Sequence, residues 1–377
     1  MTVFLKAGVT MKKKLKIIIP VIVLVILIIG SSVGYSFLPH PLNYDIDSIQ
    51  SIGNENIEIV SKTEDTVTIR NMGEEKVKVL FFTDIHLDGK NKTSKITVTN
   101  IVNNIVKEKP DLVIFGGDTV TSGLNKKRCN QFAQIFENLG VYWAGCHGNH
   151  EGDNGTSLSR SEMIDVYSSY DHCLMLEGPE DIWGDGNYQL NILNSDNSLC
   201  ESFFFLDTGD EVQPDTKAEY GIPDDEDPYD GVKASQIKWY TDKVSATKLA
   251  YGDFKSIMVV HIPLPQVEQQ YESHPFLYGE KREGICESGF DSGLFEAIRI
   301  MGSTQAVFFG HDHLNDFGFE YEGILLSYLQ PSGYGSYTSE SKLGFAEKDW
   351  LQGYVKMEID RNGSFTQERH RNSENMQ

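Results

Sequence analysis

Residues Val77–His86 read VKVLFFTDIH, an apolar run that ends directly in Asp84 and His86. Its density is that of a strand buried on both faces, as in a parallel sheet, rather than the alternation of a half-exposed one. The same arrangement recurs four times downstream. DLVIFGGD (111–118) ends in Asp118, and VYWAGCHGNH (141–150) ends in Asn149 and His150. SIMVVHIP (256–263) carries His261, and QAVFFGHDH (305–313) closes on His311, Asp312 and His313. Ligands of open α/β sheets bind beyond the carboxyl ends of the strands, so five distant segments can converge on one site. An Asp-x-His pair alone is commonplace, and Gly-Asn-His alone most often caps a loop. The ordered series is what points to a site.

Imidazole nitrogens, carboxylate oxygens and one amide oxygen suit a pair of divalent cations. Asp84 and His86 lie two apart, so both face the same way on extended chain, as do His311 and His313. Gly116, Gly117, Gly148 and Gly310 flank these ligands, where the chain must turn sharply or approach an ion closely.

The segments between are those of an α/β protein. Ile57–Arg70 alternates as a hairpin turning near residues 63–65. The apolar spacing of Ile96, Ile101, Val102 and Ile105 predicts a helix over 94–107, ended by Pro110. Strand, helix and the next strand make a βαβ unit, hence parallel pairing. Further helices are expected over 126–139, 235–249 and 289–301, and further strands over 201–207, 323–329 and 353–359. Residues 39–56 read as a polar tether, 57–360 as the main domain, and 361–377 as a frayed polar tail.

The 377-residue chain carries 33 Lys+Arg against 55 Asp+Glu, a formal net charge of -22. Lys6, Lys12, Lys13, Lys14 and Lys16 precede the first apolar run, leaving 28 basic against 55 acidic side chains, a net -27. That surface argues against general nucleic-acid binding, which needs phosphate-neutralising cations. It leaves room for a small phosphorylated substrate, because bound cations reverse the local field. The acidic stretch Asp224–Asp230 fits no EF-hand spacing and reads as a solvated insertion. Five scattered cysteines show no metal-ribbon or disulfide pattern.

Lysines up to residue 16, then the almost pure Ile/Val/Leu run from Ile17 toward Leu38, predict a single transmembrane anchor with the catalytic domain outside the cell membrane. A cleaved signal peptide, ending near Ser31–Ser36, is the alternative and makes the protein secreted.

The five motifs, spanning Val77 to His313, resemble the calcineurin-like metallophosphoesterase superfamily: D-x-H, G-D, G-N-H-E/D, H and G-H-x-H. The stretches HIPLP (261–265), GHDHLND (310–316) and GYGSY (333–337) resemble the branch related to purple acid phosphatases that includes atypical plant and fungal members. The resemblance implies a four-layer αββα sandwich of two mixed sheets with helices outside. It also implies two divalent metals (Mn, Zn or Fe). Asp84, His86 and His313 would hold one, Asn149, His261 and His311 the other, and Asp118 would bridge them at about 3.5–4 Å. The implied activity is hydrolysis of a phosphate mono- or diester by a metal-bridging hydroxide, with His150 as the catalytic acid. Nucleotide or lipid head-group diesters, or a catalytically silent metal-binding module, are the alternatives. One departure stands out: where purple acid phosphatases place a tyrosine ligand, and protein-phosphatase relatives an Asp that orients the catalytic His, this chain has Thr121. His150 therefore needs another orienting partner, with Glu151, Asp153 and Asp312 as candidates.

His147 reads as a loop residue, and His172 and His274 have no ligand-like context. Tyr328, Tyr334 and Tyr337 are candidates for the pocket wall or for ordinary packing.

Overall fold

The computed structural model describes residues 42, 44–53, 56–73, 76–88, 91–121, 123, 125–153, 158–347 and 350–372. The basic N-terminus and the apolar run 17–38 lie outside the described residues. Among the described residues, no helix is long and apolar enough to cross a membrane.

In chain order the strands are β1 (Ile57–Lys62), β2 (Thr66–Asn71), β3 (Val77–Phe82), β4 (Leu112–Gly116), β5 (Tyr142–Cys146) and β6 (Tyr188–Leu193). They continue with β7 (Leu199–Phe205), β8 (Ser256–Val259), β9 (Thr304–Phe309), β10 (Gly318–Tyr321), β11 (Ile324–Tyr328), β12 (Gly353–Ile359) and β13 (Phe365–Arg371). Five form one sheet in the order β13-β12-β3-β4-β5, and eight form the other, β1-β2-β6-β7-β8-β9-β11-β10. Both are mixed. β3, β4 and β5 run parallel while β12 pairs antiparallel with both β3 and β13, and β7, β8, β9 and β11 are parallel.

The inner faces meet through aromatic side chains. The Phe81 ring lies 5.5 Å from that of Phe308 and 6.3 Å from that of Phe203, so β3 touches β7 and β9 across the sandwich. The outer faces are covered by helices α1 (Asn91–Glu108), α2 (Lys126–Leu139), α3 (Arg160–Ser168), α4 (Ala234–Tyr251) and α5 (Leu294–Met301). Phe115 of β4 meets Phe132 and Phe136 of α2 at 5.0 and 5.1 Å. On the other side, Phe204 of β7 meets Tyr240 of α4 edge-on at 5.0 Å. Helix, sheet, sheet and helix are thus stacked in four layers, as the family resemblance implied.

Local signals set the helix ends. Ser159 opens α3 with a capping box: its hydroxyl accepts from the Glu162 N–H while the Glu162 carboxylate accepts from the Ser159 N–H. Gly140, at φ 63°, closes α2 in the left-handed conformation.

Two expectations need correction. The segment from residue 44 is no free tether: the Asn138 amide donates to the Ile46 carbonyl, and the Ile52 N–H donates to Leu139 O. Isolated Ile and Tyr residues in polar sequence supply that contact, with Tyr44, Ile46, Ile49 and Ile52 packed on the core. The polar tail is not frayed up to Asn372, because β13 pairs along its length with β12. Backbone hydrogen bonds hold an edge strand without an apolar pattern, and Arg369 adds a bond to Ser327. β6 adds to the expected strands: it is buried on both faces, but Gln189 and Asn191, which bond Ser202, interrupt the apolar run.

Replacing Phe81 with Ala leaves a cavity between the sheets and is expected to cost about 3–5 kcal/mol of stability. Urea unfolding checks this; a loss below about 1 kcal/mol would show that the sheets do not rely on this contact.

Candidate metal centre

The carboxyl ends of β3, β4, β5, β8 and β9 deliver the five motifs to one edge of the sandwich. Their loops are stitched sideways: the Asp84 N–H donates to Gly117 O, His86 N–H to Asp118 O, and Gly310 N–H to His261 O. Seven non-glycine residues among those described hold a positive φ, and four are Asp84 (52°), His86 (47°), Asp118 (52°) and His311 (75°). Each such conformation costs on the order of 1–3 kcal/mol and persists only where surrounding structure imposes it, most often at functional sites. Close approach explains two flanking glycines. A Cβ on Gly148 would sit 2.2 Å from Asp118 Oδ1, and one on Gly310 would sit 2.2 Å from Thr83 Oγ1.

The predicted donors are brought together. His86 Nε2 lies 3.0 Å from His313 Nε2 and 3.3 Å from Asp118 Oδ2, and His313 Nε2 lies 3.3 Å from Asp84 Oδ1. Asn149 Oδ1 lies 3.1 Å from His261 Nε2 and 2.9 Å from His311 Nδ1. His261 Nε2 stands 3.4 Å from Asp118 Oδ2, so that one oxygen faces both groups of donors. All seven residues are buried. Among the described residues, no Lys or Arg pairs with Asp84 or Asp118.

Backbone carbonyls preset two imidazoles. His261 Nδ1 bonds Gly116 O at 2.7 Å and His313 Nδ1 bonds Tyr337 O at 3.0 Å, leaving each Nε2 lone pair for the centre. Tyr337 also stacks on the His313 ring at 4.2 Å and 7°. His311 is reversed, with Nδ1 toward Asn149 and a buried Nε2 that lacks a hydrogen-bond partner. Oxygen and imidazole donors without thiolate, their lone pairs converging in a buried space, fit divalent cations.

Electrostatics point the same way. Burial opposes charge on His261, yet Asp118 and Asp84 push it up to about 10, and Asp84 likewise raises His313. Burial, chiefly, holds His86 at about 4 and His311 at about 3, both neutral with a free lone pair. The two carboxylates thus draw positive charge into the space between the donors.

The candidates for orienting His150 separate cleanly. Asp153 Oδ2 holds His150 Nδ1 at 2.6 Å, and this hydrogen bond raises His150 to about 9 against the opposing effect of burial. Glu151 points the other way and joins two loops: it accepts from the N–H groups of Asp118, Thr119 and Gly148 and from the Thr119 hydroxyl. Burial and Asp118 push it up to about 7. Asp312 takes bonds from the Tyr328 hydroxyl and the Cys286 N–H, and its carboxylate groups with His311 and Cys286. The His150 N–H donates to Asp118 Oδ1 at 2.9 Å, tying its backbone to the shared carboxylate.

Sequence reasoning missed Arg160. Its guanidinium donates to both Asp207 oxygens, to Gly148 O and to Gly209 O, clamping the loop that carries Asn149 and His150. No motif marks an ion pair formed 47 residues apart. His147 accompanies it, bonding Arg160 O from a buried position. His172 pairs with Glu137, and His274 packs between Phe319 and Tyr321, both away from the centre. Tyr334 bonds Asn100 and Asn372 rather than lining the site.

Residues 77–315 match the family model described as calcineurin-like phosphoesterase, and the chain belongs to that family. Among curated proteins it is similar to two from Arabidopsis thaliana. It is 29% identical to "Probable inactive purple acid phosphatase 14" over 67% of this chain and 65% of that one. It is 27% identical to "Probable inactive purple acid phosphatase 28" over 68% of this chain and 70% of that one. The match thus spans about two thirds of each relative's length. Among solved structures, a dimetal phosphatase from Danio rerio aligns over 79% of this chain and 100% of its own, at 14% identity and a TM-score of 0.46.

Metal binding must displace the protons on His261 and His313, both raised above the ordinary imidazole value. Apparent affinity for Mn(II) is therefore expected to rise with pH, with proton release on binding. Calorimetry in buffers of differing ionisation enthalpy checks this; pH-independent binding without proton release would contradict the donor assignment.

Proposed function

We propose that this protein is a dinuclear metal-dependent phosphoesterase, acting on phosphate monoesters or diesters. The observation that carries the reading is Asp118. One carboxylate oxygen faces both donor groups, and the other holds the backbone of His150. Asp84, His86 and His313 would hold one cation, and Asn149, His261 and His311 the other. When bound, the pair supplies Lewis acidity to a phosphoryl oxygen and an activated water.

The chain's own residues supply the proton. Asp153 engages His150 Nδ1, which leaves Nε2–H as the donor toward a leaving oxygen. The His150 side chain is 45% exposed, so an ester can reach it where the metal ligands are covered. Thr121 supports a centre without an iron–tyrosinate bond.

A catalytically silent module is the second reading, favoured by the word "inactive" in the relatives' names. The complete set of donors and the Asp153–His150 pair support an enzyme instead. With Mn(II), the protein is expected to hydrolyse p-nitrophenyl phosphate or bis-p-nitrophenyl phosphate. His150→Ala should lower turnover about 10²–10⁴-fold while metal content stays unchanged. Bound metal with no hydrolysis of either ester would favour the silent module. Loss of metal in the variant would make His150 a ligand.

We further propose that the domain faces outward from a membrane, on the strength of the lysine cluster and the apolar run that follows. Protease added to intact cells should then digest it. Full protection, with digestion only after lysis, would place it inside.

A further inference from the structure

The acidic stretch 224–230 found no role in the sequence, and the structure gives it one. It is strapped down beside the metal centre. Val212 N–H donates to Pro228 O, Asp230 N–H to Asp210 O, and Gly289 N–H to Tyr229 O. Glu211 and Tyr229 pair as an antiparallel bridge. Two of the acids anchor the strap by ion pairs, Asp227 with Lys217 at 2.6 Å and Asp230 with Lys233. Between these two anchors lies Tyr229.

Its ring stands edge-on to the His311 ring, with centroids 4.3 Å apart at 86°. That contact sets Tyr229 against the donor group of Asn149, His261 and His311. The other tyrosines at this edge spend their hydroxyls on protein groups. Tyr328 donates to Asp312, Tyr337 to Glu283 and Tyr188 to Gly145 O. The Tyr229 hydroxyl has no hydrogen-bond partner among the described residues. A phenolic O–H keeps its proton at neutral pH and can donate it in a hydrogen bond. Meanwhile the Arg160 guanidinium, which touches the His150 loop, commits both terminal nitrogens to Asp207 and to the Gly148 and Gly209 carbonyls. A neutral donor is therefore what the strap offers an anionic ligand.

We infer that Tyr229 is a substrate-positioning residue whose hydroxyl donates a hydrogen bond to a non-bridging oxygen of the bound phosphoryl group. This rests on the phosphoester reading above. Its ring has a second task, limiting rotation of His311, whose Nε2 has no hydrogen bond of its own.

The variant Tyr229→Phe removes the donor and keeps the ring. With the Mn(II)-loaded full chain, inorganic phosphate should bind about 10–100-fold more weakly to the variant, the size of one hydrogen bond to a charged group. The kcat/KM for p-nitrophenyl phosphate should fall by a similar factor, with metal content unchanged. Tyr229→Ala should lose more, because His311 is then unconfined. Unaltered phosphate affinity and kcat/KM in Tyr229→Phe would overturn the assignment while leaving the hydrolase intact, and loss of metal in that variant would overturn it in favour of a structural role. Weaker phosphate binding without turnover in the parent would uphold Tyr229 and sink the hydrolase. A parent that binds no phosphate would sink both.

Discussion

Two buried carboxylates, Asp84 and Asp118, face one another's imidazole partners, and among the described residues no Lys or Arg pairs with either. Such charges are costly to bury unless opposite charge sits between them. Every other feature of this edge answers that constraint. His261 holds a proton well above the ordinary imidazole range, carbonyls turn the Nδ1 atoms of His261 and His313 away so that Nε2 points inward, and four of the candidate ligands accept a left-handed backbone. Divalent cations satisfy the constraint better than protons, since each carries two charges and accepts several lone pairs at once.

The sandwich is what makes that strain affordable. β3 and β4 of one sheet and β8 and β9 of the other stop at the same edge, and the Phe81–Phe203–Phe308 contact fixes the sheets against each other. Because the ligands come from both sheets, sliding one past the other would pull Asp84 and Asp118 away from His261 and His311. Core packing and site geometry are therefore one problem, joined further by the Arg160–Asp207 clamp and by Glu151.

Much of this was legible in the sequence, for a physical reason. Doubly buried strands read as dense apolar runs, and ligands at their ends must be His, Asp or Asn, so the composition of each motif declares both. The helix over 126–139 was visible because its amphipathic face is strong and Gly140 ends it. What stayed hidden depends on backbone or on distant partners. The β13 edge strand has no apolar pattern, since its pairing is by hydrogen bonds. Arg160 and Asp207 meet only in three dimensions, and the choice of Asp153 over Glu151 or Asp312 turns on loop direction. The acidic insertion announced charge but not the tyrosine that it positions.

The convergent donor set requires that this edge hold two cations. Crystals grown with Mn(II), measured by anomalous diffraction, test that most directly. Two peaks per chain are predicted, one on each side of Asp118 and each within reach of its three further ligands. A single peak, or none at saturating Mn(II), would contradict the dinuclear centre.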